Sequence, residues 1–373
     1  MLPAWPVRNG YALRVRNLLA ELADGWALHL LAPGAPADDP ERPPGLAAHH
    51  RLHLAGRGLT YTWRFDPAPL RDAIAGTLSE VRPDRALIWA GAEDAWLTMS
   101  GPQPPAVMDM IDCNPLEFWR GAFARGAGGL RERARSLTEL GVSALHARRA
   151  VRGFAATSCV GEQDAAWLAR LSGKPDRVHV VPNGVALPDL AALPDAAATP
   201  TLCFTGTLDY VPNTDAVRFL VEDVWPLVRA AAPAARLVIA GRSPLPWIVA
   251  LHGRDGIEVA ADVPEMAAVL RRAWAAIAPM RTGVGIKNKV LEAWACARPV
   301  VLTPLATNGL PPVPGQDRLV RADAPGLAEA AIALLSDAGL CHRLGESARA
   351  HAAASCSWRA AAKEMDRLLR AAT

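Results

Sequence analysis

The segment PMRTGVGIKNKVLEAWACARPVV, residues 279–301, is the part of the chain that decides the fold. It begins at the end of an apolar run, WAAIAP, and ends in a second one, RPVVLT, and both runs have the length of buried strands. Between them, a loop that contains glycine leads into a helix whose apolar residues repeat at helical spacing. A strand, a loop and a helix that returns to a second strand form the repeating unit of a parallel α/β sheet.

Three charged residues on that helix, Lys287, Lys289 and Glu292, need a separate reason. Lys287 is predicted in the first helical turn, where the helix dipole and the free N–H groups favour an anion and disfavour a cation. Two lysines at this end are explained by a phosphate bound there, and Glu292 could accept hydrogen bonds from the cis-diol of a ribose. The residues alone leave a second interpretation open, in which Lys289 and Glu292 form an ordinary surface ion pair. The phosphate interpretation is not decisive, because the full G-x-G-x-x-G fingerprint of dinucleotide-binding sites is absent.

The same alternation of apolar runs and helical patterns continues along nearly the whole chain. Strand-sized runs occur at 26–33, 85–91, 105–112, 153–160 and 178–185, and again at 201–208, 235–241, 257–261, 274–279 and 298–303. In the second series, helical patterns occur at about 213–231, 263–273, 286–297 and 325–337. Between the two series, residues 186–200 are rich in Pro and Ala and break the pattern, as a linker does.

The two series predict an α/β fold with two Rossmann-like, doubly wound domains facing a cleft. The predicted parts are an N-terminal domain (1–187), a linker (188–200), a C-terminal domain (201–355) and a C-terminal helix (356–373) that packs back toward the N-terminal domain. Ligands of such sheets bind at the carboxyl ends of the strands, so we expect the site in the cleft between the domains.

Composition argues against some classes of function. The chain has 373 residues, of which 51% are hydrophobic, and its 40 Lys and Arg residues against 37 Asp and Glu residues give a net charge of only +3. That balance argues against a nucleic-acid partner. The six cysteines are far apart and no His cluster has metal-ligand spacing, so we expect reduced thiols and no metal site. Because the sequence shows no signal peptide and no apolar window of about 18 residues, we expect a cytoplasmic protein.

Four stretches together resemble one family. The segment GVGIKNKVLEAWACARPVV resembles the donor-site motif of the family-four, or group 1, retaining glycosyltransferases of the GT-B fold. The other three follow the family's order: PVRNGYALRVRNLLAELA (6–23) resembles its N-terminal glycine loop and first helix, VVPNGV (180–185) the close of its first domain, and FTGTLDYVPNTDAVRFL (204–220) the opening of its second domain. The second-domain motifs are most similar to sugar transferases from exopolysaccharide gene clusters.

The resemblance implies a hexosyltransferase that moves a sugar from a nucleotide-sugar donor to an acceptor hydroxyl of a glycan or a lipid-linked molecule. It also implies retained anomeric configuration, no metal and no cofactor, in polysaccharide or glycoconjugate biosynthesis. Two other functions stay open. One is a GT-B nucleotide-sugar 2-epimerase, which would need acid/base carboxylates and histidines in the cleft. The other is a catalytically silent protein that only binds a nucleotide-sugar.

The resemblance also assigns roles to residues of the C-terminal domain. Glu292 matches the second glutamate of the family's E-x7-E motif, which holds the ribose. The first glutamate falls at Val284, so the contact with the donor sugar is expected from backbone N–H groups instead. The residues that carry these groups are Gly283, Val284, Gly285 and Ile286.

Two basic residues of the family are absent from this chain. Its phosphate-binding arginine falls at Thr207, directly after Gly206, and its lysine falls near Asn213. We therefore expect Lys287 and Lys289 to stabilise the leaving diphosphate, which is electrostatic catalysis by fixed charges. The remaining donor-site candidates follow predicted strands, and for them a solvated side chain or an ordinary turn is the alternative. They are Arg242, Val263, Asn308 and Gly309.

In the family, the N-terminal domain binds the acceptor. Asn9 and Gly10 match its glycine loop, so we expect them near the reacting centre. Asp112 ends the run VMDMID and is expected to face the cleft, with capping of the next segment as the alternative. These three residues join Lys287 and Lys289 as catalytic candidates. The chain starts with MLPAWP where the family has a complete first strand, so we expect either a shortened strand or a start further upstream.

Residues 114–158 carry an excess of positive charge. Eight arginines against three glutamates leave a local charge of +5, and Phe118 and Trp119 lie in the same segment. Basic and aromatic residues together are typical of a surface that lies on an anionic membrane, where the protein could reach a lipid-linked acceptor. The alternative is a helix face that only contacts solvent.

Overall fold

The computed structural model of the protein describes residues 9–33, 45–52, 67–123 and 130–373. The chain forms two compact units. Unit 1 comprises Met1–Asn183 together with Trp358–Thr373, and unit 2 comprises Gly184–Ser357. Both units contain parallel strands alternating with helices, so the predicted α/β class is confirmed.

Unit 1 contains two parallel sheets among its described residues. Its elements up to the end of the second sheet are α1 (Gly10–Leu22), β1 (Leu28–Pro33), β2 (Leu46–Leu52), α2 (Ala68–Val81), β3 (Ala86–Trp89), α3 (Glu93–Leu97), β4 (Ala106–Ile111), α4 (Asn114–Phe123), α5 (Leu130–Gly153), β5 (Ala156–Cys159), α6 (Glu162–Ser172) and β6 (Val178–Val180). Strand β1 pairs with β2, and β3, β4, β5 and β6 pair in that order.

A buried polar network joins the elements of unit 1 around Asp109 in β4. Both carboxylate oxygens of Asp109 accept hydrogen bonds from Arg14 of α1, at 2.8 and 3.0 Å. Trp89 and Ser158 donate to the same carboxylate at 3.0 and 2.8 Å, and Arg14 also donates to Asn183 at 2.8 Å. A buried charge is tolerated when it is paired and fully hydrogen-bonded in this way. The pair therefore fixes α1 against the centre of the sheet.

Unit 2 is a doubly wound sheet. Its elements are β7 (Thr201–Thr205), α7 (Val211–Phe219), α8 (Trp225–Ala231), β8 (Arg236–Gly241), α9 (Pro246–Val249), β9 (Ile257–Ala261), α10 (Met266–Arg272), β10 (Ala275–Ala278), α11 (Asn288–Ala295), β11 (Val300–Leu302), α12 (Ala324–Leu335) and α13 (Ala338–Ser355). The five strands are parallel and lie in the order β11-β10-β7-β8-β9. The strand order therefore reverses between β7 and β10, which is the switch point where such sheets bind ligands.

The segment predicted as a linker lies along unit 2. Ala197 accepts a hydrogen bond from the Trp274 indole at 2.7 Å, and its own N–H donates to Arg272 at 2.9 Å. Arg349 of α13 donates to the Pro188 carbonyl at 2.9 Å. These contacts assign the segment to the surface of one unit.

The last helix, α14 (Trp358–Ala371), belongs to unit 1. Its buried face includes Trp358, Met365 and Leu368, which pack in one core cluster with Leu18 and Leu22 of α1. Unit 1 is thus built from both ends of the chain.

The described residues include no single helix that is long and apolar enough to cross a membrane. One pair of segments, Ala324–Leu335 with Ala338–Ala371, passes the test together across a bend of 103°. Buried core helices of other proteins pass the same test on length and composition.

Candidate functional site

The candidate site lies at the switch point of unit 2, where the loops after β7 and β10 approach each other. Lys289 of α11 donates a hydrogen bond to Asn213 of α7 at 2.7 Å, which joins the two helices that follow these loops. Asn213 in turn donates to the Thr207 carbonyl at 2.8 Å. A Cβ atom on Gly206 would lie 3.0 Å from the Lys289 ammonium and 2.7 Å from the Asn213 amide nitrogen. Glycine at 206 therefore leaves the space that this contact needs.

The Lys289 ammonium lies in an apolar setting. It lies 4.0 Å from the centroid of the Phe204 ring and 3.8 Å from the sulfur of Met280. Burial lowers the pKa of Lys289 to about 7, and the positive charge of Lys287 acts in the same direction. The face of an aromatic ring attracts a cation, and this attraction offsets part of the cost of removing the ammonium from water. The protonated form of this side chain is therefore the form that a nearby anion would stabilise.

Lys287 has a different position from the one predicted. The helix was expected from about 286, but α11 begins at Asn288, and Lys287 is the residue that precedes it. The Lys287 ammonium turns back to its own loop, where it donates to the carbonyls of Val284 at 2.7 Å and Gly285 at 2.9 Å. Its side chain is buried, with 8% exposure. In this structure Lys287 therefore stabilises the loop, and its contact with a phosphate stays a prediction.

Glu292 lies one turn after Lys289 on α11. Burial raises the pKa of its carboxyl group, while the positive charges of Lys289 and Arg242 oppose that change. The surface ion pair considered from the sequence is not found among the described side chains, since the Lys289 ammonium donates to Asn213 instead. The Glu292 carboxylate is thus left available for another hydrogen-bonding group, such as a ribose diol.

The loop after β10 brings several predicted residues together. Gly283 and Gly285 have φ of 96° and 68°, values that favour glycine. A Cβ atom on Gly283 would lie 3.3 Å from Pro212 of α7, so the chain segments are close at this position too. Asn308 is buried and donates to the Gly285 carbonyl at 3.5 Å, and Gly309 follows it with φ of 74°.

Two other predicted residues lie at neighbouring strand ends. Arg242 follows β8 and is exposed, and its carbonyl accepts a hydrogen bond from Leu208 at 2.7 Å. Val263 follows β9 and is half-buried, next to Asp262, whose φ is 50°. Arg242 and Val263 therefore both lie at the carboxyl edge of the unit 2 sheet. Val263 is the more distant of the two from β7, because β8 lies between β7 and β9.

The candidates of the first domain lie in unit 1. The Asn9 side chain accepts a hydrogen bond from the Ala12 N–H at 2.9 Å and caps α1, whose first residue is Gly10. Asp112 follows β4 and is half-buried, and its N–H donates to the Met110 carbonyl at 2.8 Å. Asn9 therefore has a structural role of its own, beside which a role in the reaction stays a prediction.

Asn213 and Phe204 are the site residues that the sequence did not single out. Both lie in the stretch FTGTLDYVPNTDAVRFL, where Asn213 was considered only as the place of a missing lysine. The structure shows that the lysine of this site comes from α11 and that Asn213 accepts its hydrogen bond. A pattern of spacing could not reveal this, because the two residues are 76 positions apart.

The described residues contain no group of three or more His, Cys, Asp or Glu side chains that could hold a metal ion. Each of the six cysteines is buried and unpaired as a disulfide.

A family of known sequences matches the part of the chain that contains this site. Residues 199–337 match the family described as Glycosyl transferases group 1, a range that runs from β7 through α12. The match supports the resemblance drawn from the sequence motifs. Curated protein sequences gave no match to the chain.

Solved structures share the fold. Sucrose-phosphate synthase from Thermosynechococcus elongatus superposes with a TM-score of 0.73 at 18% identity, covering 97% of this chain and 93% of that one. Anabaena Alr3699/HepE in complex with UDP-glucose gives 0.69 at 13% identity, covering 97% and 96%. S. aureus TarM gives 0.61 at 11% identity over 81% of this chain, which spans 58% of the length of TarM. At these identities the likeness concerns the fold, and it confirms the predicted pair of Rossmann-like domains.

Proposed function

We propose that this chain, which carries a group 1 glycosyltransferase domain in a GT-B fold, transfers a hexose from a nucleoside-diphosphate sugar to an acceptor hydroxyl with retained configuration. The observation that carries the proposal is the Lys289 ammonium, held between Phe204 and Asn213 at the switch point of the group 1 domain. The proposal includes neither a metal nor a cofactor, and it assigns the stabilisation of the diphosphate to the charges of the chain itself.

The proposed reaction places negative charge beside Lys289. The acceptor oxygen forms a bond with the anomeric carbon on the face from which the diphosphate leaves, and the bond between that carbon and the phosphate oxygen breaks. The hydroxyl proton passes to the departing phosphate oxygen. Negative charge develops on the leaving oxygen while the bond breaks and before the proton arrives, and Lys289 and the N–H groups at the start of α11 stabilise that charge.

The rest of the donor fits the surrounding residues. We assign the ribose diol to Glu292 and the base to the backbone at Val263, with Arg242 beside the nucleotide. Val284 cannot accept a hydrogen bond through its side chain, so the sugar hydroxyls are assigned to the backbone of residues 283–286. Support for a nucleoside diphosphate comes from Anabaena HepE, which has been solved in complex with UDP-glucose.

The acceptor side of the proposal rests on the surface of α4 and α5. Trp119 and Phe123 are exposed by 43% and 59%, and their rings lie 4.4 Å apart. Leu145 of α5 is exposed by 58%, on a helix that carries six of the eight arginines noted above. Exposed aromatic and apolar side chains among arginines support peripheral contact with an anionic membrane and a lipid-linked acceptor. We include polysaccharide or glycoconjugate biosynthesis in the proposal on this basis.

The test is incubation of the protein with UDP-, GDP- and ADP-hexoses, with and without glycan and lipid-linked acceptors. Nucleotide release that depends on the acceptor supports transfer, and analysis of the product linkage by NMR decides between retention and inversion. Conversion of one donor sugar into another would instead identify an epimerase. Binding without turnover of any donor would identify a silent binding protein.

A pair of variants tests the donor site separately from turnover. Lys289→Met keeps the length and apolar contacts of the side chain and removes its charge, and Glu292→Gln keeps the shape of the carboxyl group. We expect both to weaken UDP binding in calorimetry. If both bind UDP as tightly as the unchanged protein, the donor site lies elsewhere.

A further inference from the structure

Unit 2 contains a cavity of about 400 Å³ beside β11, the strand at one edge of its sheet. The chain leaves β11 at Leu302 and returns to it at Val320, because these two residues form a parallel bridge. Residues of this returning loop, between 307 and 320, form most of the wall, and Trp294 of α11 forms another part. We call this space the loop cavity. Its volume is in the range of small-molecule sites, which is about 300–1,000 Å³.

The wall of the loop cavity is mainly apolar. It includes Trp294 and Leu302, and from the returning loop it includes Leu310, Val313 and Val320. Protein interiors are close-packed and leave few spaces larger than a water molecule, because atoms that line an empty space lose contacts. A ligand with an apolar body would restore those contacts.

Gln316 brings a buried hydrogen-bond donor to this wall. It lines the cavity and is 3% exposed, and its Nε2 atom has no hydrogen-bond partner among the described residues. Its Oε1 atom accepts a hydrogen bond from the Trp294 indole at 3.2 Å. Because an indole N–H can only donate, the oxygen has to face Trp294, and the NH₂ group is the end without a partner. A buried donor in this state is destabilising until a bound group accepts its hydrogen bond.

The other polar residues of the wall limit the class of ligand. The Thr307 hydroxyl already donates to the Pro304 carbonyl at 2.8 Å. Of the described residues that line the cavity, Asp317 alone carries a charge, and a carboxylate repels an anion. A cationic ammonium cannot accept a hydrogen bond from Gln316. A water molecule would satisfy the amide but would leave the apolar wall without close contacts. An uncharged oxygen on an apolar body fits both parts of the wall.

We propose that the loop cavity is a binding site for an uncharged, mainly apolar small molecule whose carbonyl oxygen accepts a hydrogen bond from Gln316. This inference concerns a face of unit 2 that the proposed transfer reaction does not use. The described residues that line the cavity include none from the loops after β7 and β10.

The wall of the loop cavity is nevertheless connected to the loop after β10. Thr307 and Leu310 of the wall lie on either side of Asn308 in the chain. Asn308 donates to the Gly285 carbonyl at 3.5 Å. A ligand that holds the wall in place also holds this contact, so we expect it to slow amide hydrogen exchange in residues 283–287 by about threefold or more.

The test uses acetanilide, an uncharged amide with an aromatic ring, as the probe. Calorimetry measures its binding to the full chain without UDP, and a crystal soaked with it shows where it binds. We expect it in the loop cavity, with its carbonyl oxygen at hydrogen-bond distance from Gln316 Nε2. Gln316→Met keeps the length of the side chain and removes the amide, so we expect it to bind the probe about three- to tenfold more weakly. The matched control is Gln163→Met at an exposed position of α6, which should leave binding unchanged.

A second variant keeps the test decisive if Gln316→Met fails to fold. Val313 is buried and lines the cavity, so the larger side chain of Val313→Phe has to enter that space. We expect this variant to bind acetanilide about tenfold more weakly or less tightly still, since the ring occupies the place of the probe.

Four results would contradict the proposal. Equal binding of acetanilide by Val313→Phe, or a soaked crystal that shows only water at Gln316, would overturn the site itself. Binding that is weakened in Val313→Phe but unchanged in Gln316→Met would overturn the class of ligand, because an apolar molecule without an acceptor would then suffice. Bound probe with unchanged exchange in residues 283–287 would overturn the connection to the loop after β10. Because none of these measurements uses a sugar donor, they are independent of whether the chain transfers a sugar.

Discussion

At the scale of single residues, Lys289 links sugar-donor binding to pH. The pKa of its ammonium is lowered to about 7, so the free protein holds it only partly protonated near neutral pH. A bound diphosphate places negative charge beside the ammonium and raises its pKa again, so binding takes up a proton. We expect the dissociation constant of UDP to increase as the pH rises above about 7, by up to about tenfold per unit. Calorimetry across this range measures it, and Lys289→Arg should remove the dependence because arginine stays protonated.

The burial of Lys289 should also destabilise the fold. A lysine whose pKa is lowered on folding has a cost that is complete below its folded pKa of about 7 and that disappears as the pH rises through its ordinary value of 10.5. Lys289→Met should therefore raise the melting temperature at about pH 6 while weakening UDP binding by about 10- to 100-fold. Thermal melts and calorimetry on one sample measure both. A variant that melts lower would show that the Asn213 and Phe204 contacts outweigh the burial of the charge.

Gly206 offers a test of the close approach between the two loops. Gly206→Ala places a methyl group 2.7 Å from the Asn213 amide and 3.0 Å from the Lys289 ammonium, so we expect the lysine to be displaced and UDP binding to fall by about tenfold or more. The control is Gly76→Ala in α2, where nothing lies within 4 Å of the added atom. Equal binding by both variants would contradict the geometry of the site.

The sequence predicted the residue types of the site better than their arrangement. It predicts that Lys287 and Lys289 both contact a phosphate, and that contact stays a prediction. In the structure, Lys289 donates to Asn213 and Lys287 donates to the carbonyls of its own loop. Helical spacing indicates which residues share a face, but Lys287 lies outside the helix, where the loop decides its direction. The partner Asn213 was out of reach of any local pattern, since only the pairing of β7 with β10 brings it close.

At the scale of elements, the helix predicted at about 213–231 is interrupted. Helices α7 and α8 are joined by a π-helical turn, Leu220–Val224, and Pro226 lies in the first turn of α8. Proline has no N–H for the helical ladder, and its ring collides with the carbonyl four residues earlier, so the chain widens just before it. The stretch still has a buried face, which includes Phe219, Val224 and Trp225. The spacing of the apolar residues in the sequence does not reveal the π-helical turn.

The packing of α13 against the turn after α11 gives a prediction at this scale. A Cβ atom on Gly345 would collide with the backbone carbonyl of Ala297, which cannot move without displacing β11. We expect Gly345→Ala to lower the melting temperature of unit 2 by several degrees, as overpacking by about 1–3 kcal/mol does. The matched control is Gly141→Ala on α5, where the added atom has nothing within 4 Å. If the two variants melted alike, this contact would not limit the approach of α13.

At the scale of the whole molecule, the alternation of strands and helices was enough to predict two α/β units, but not the order of strands within them. The order depends on which loops cross over which strands, and the same alternation fits several orders. The order in turn decides which two loops meet at the switch point of unit 2. Motif resemblance pointed to those loops, and the strand order β11-β10-β7-β8-β9 explains physically why they form a site.

The assignment of α14 to unit 1 makes a prediction about the independence of the two units. Met365 is fully buried between α14 and the core that contains Leu18 of α1. Met365→Asp would place a carboxylate there without a partner, so we expect unit 1 to lose cooperative folding, as an unpaired buried charge costs several kcal/mol. Unit 2 holds all the residues assigned to the diphosphate, so UDP binding should persist in this variant. Hydrogen exchange measured separately in each unit, together with calorimetry, checks both parts, and the exposed change Arg359→Ala is the control. Loss of UDP binding together with protection in unit 2 would show that its sugar-donor site depends on a folded unit 1.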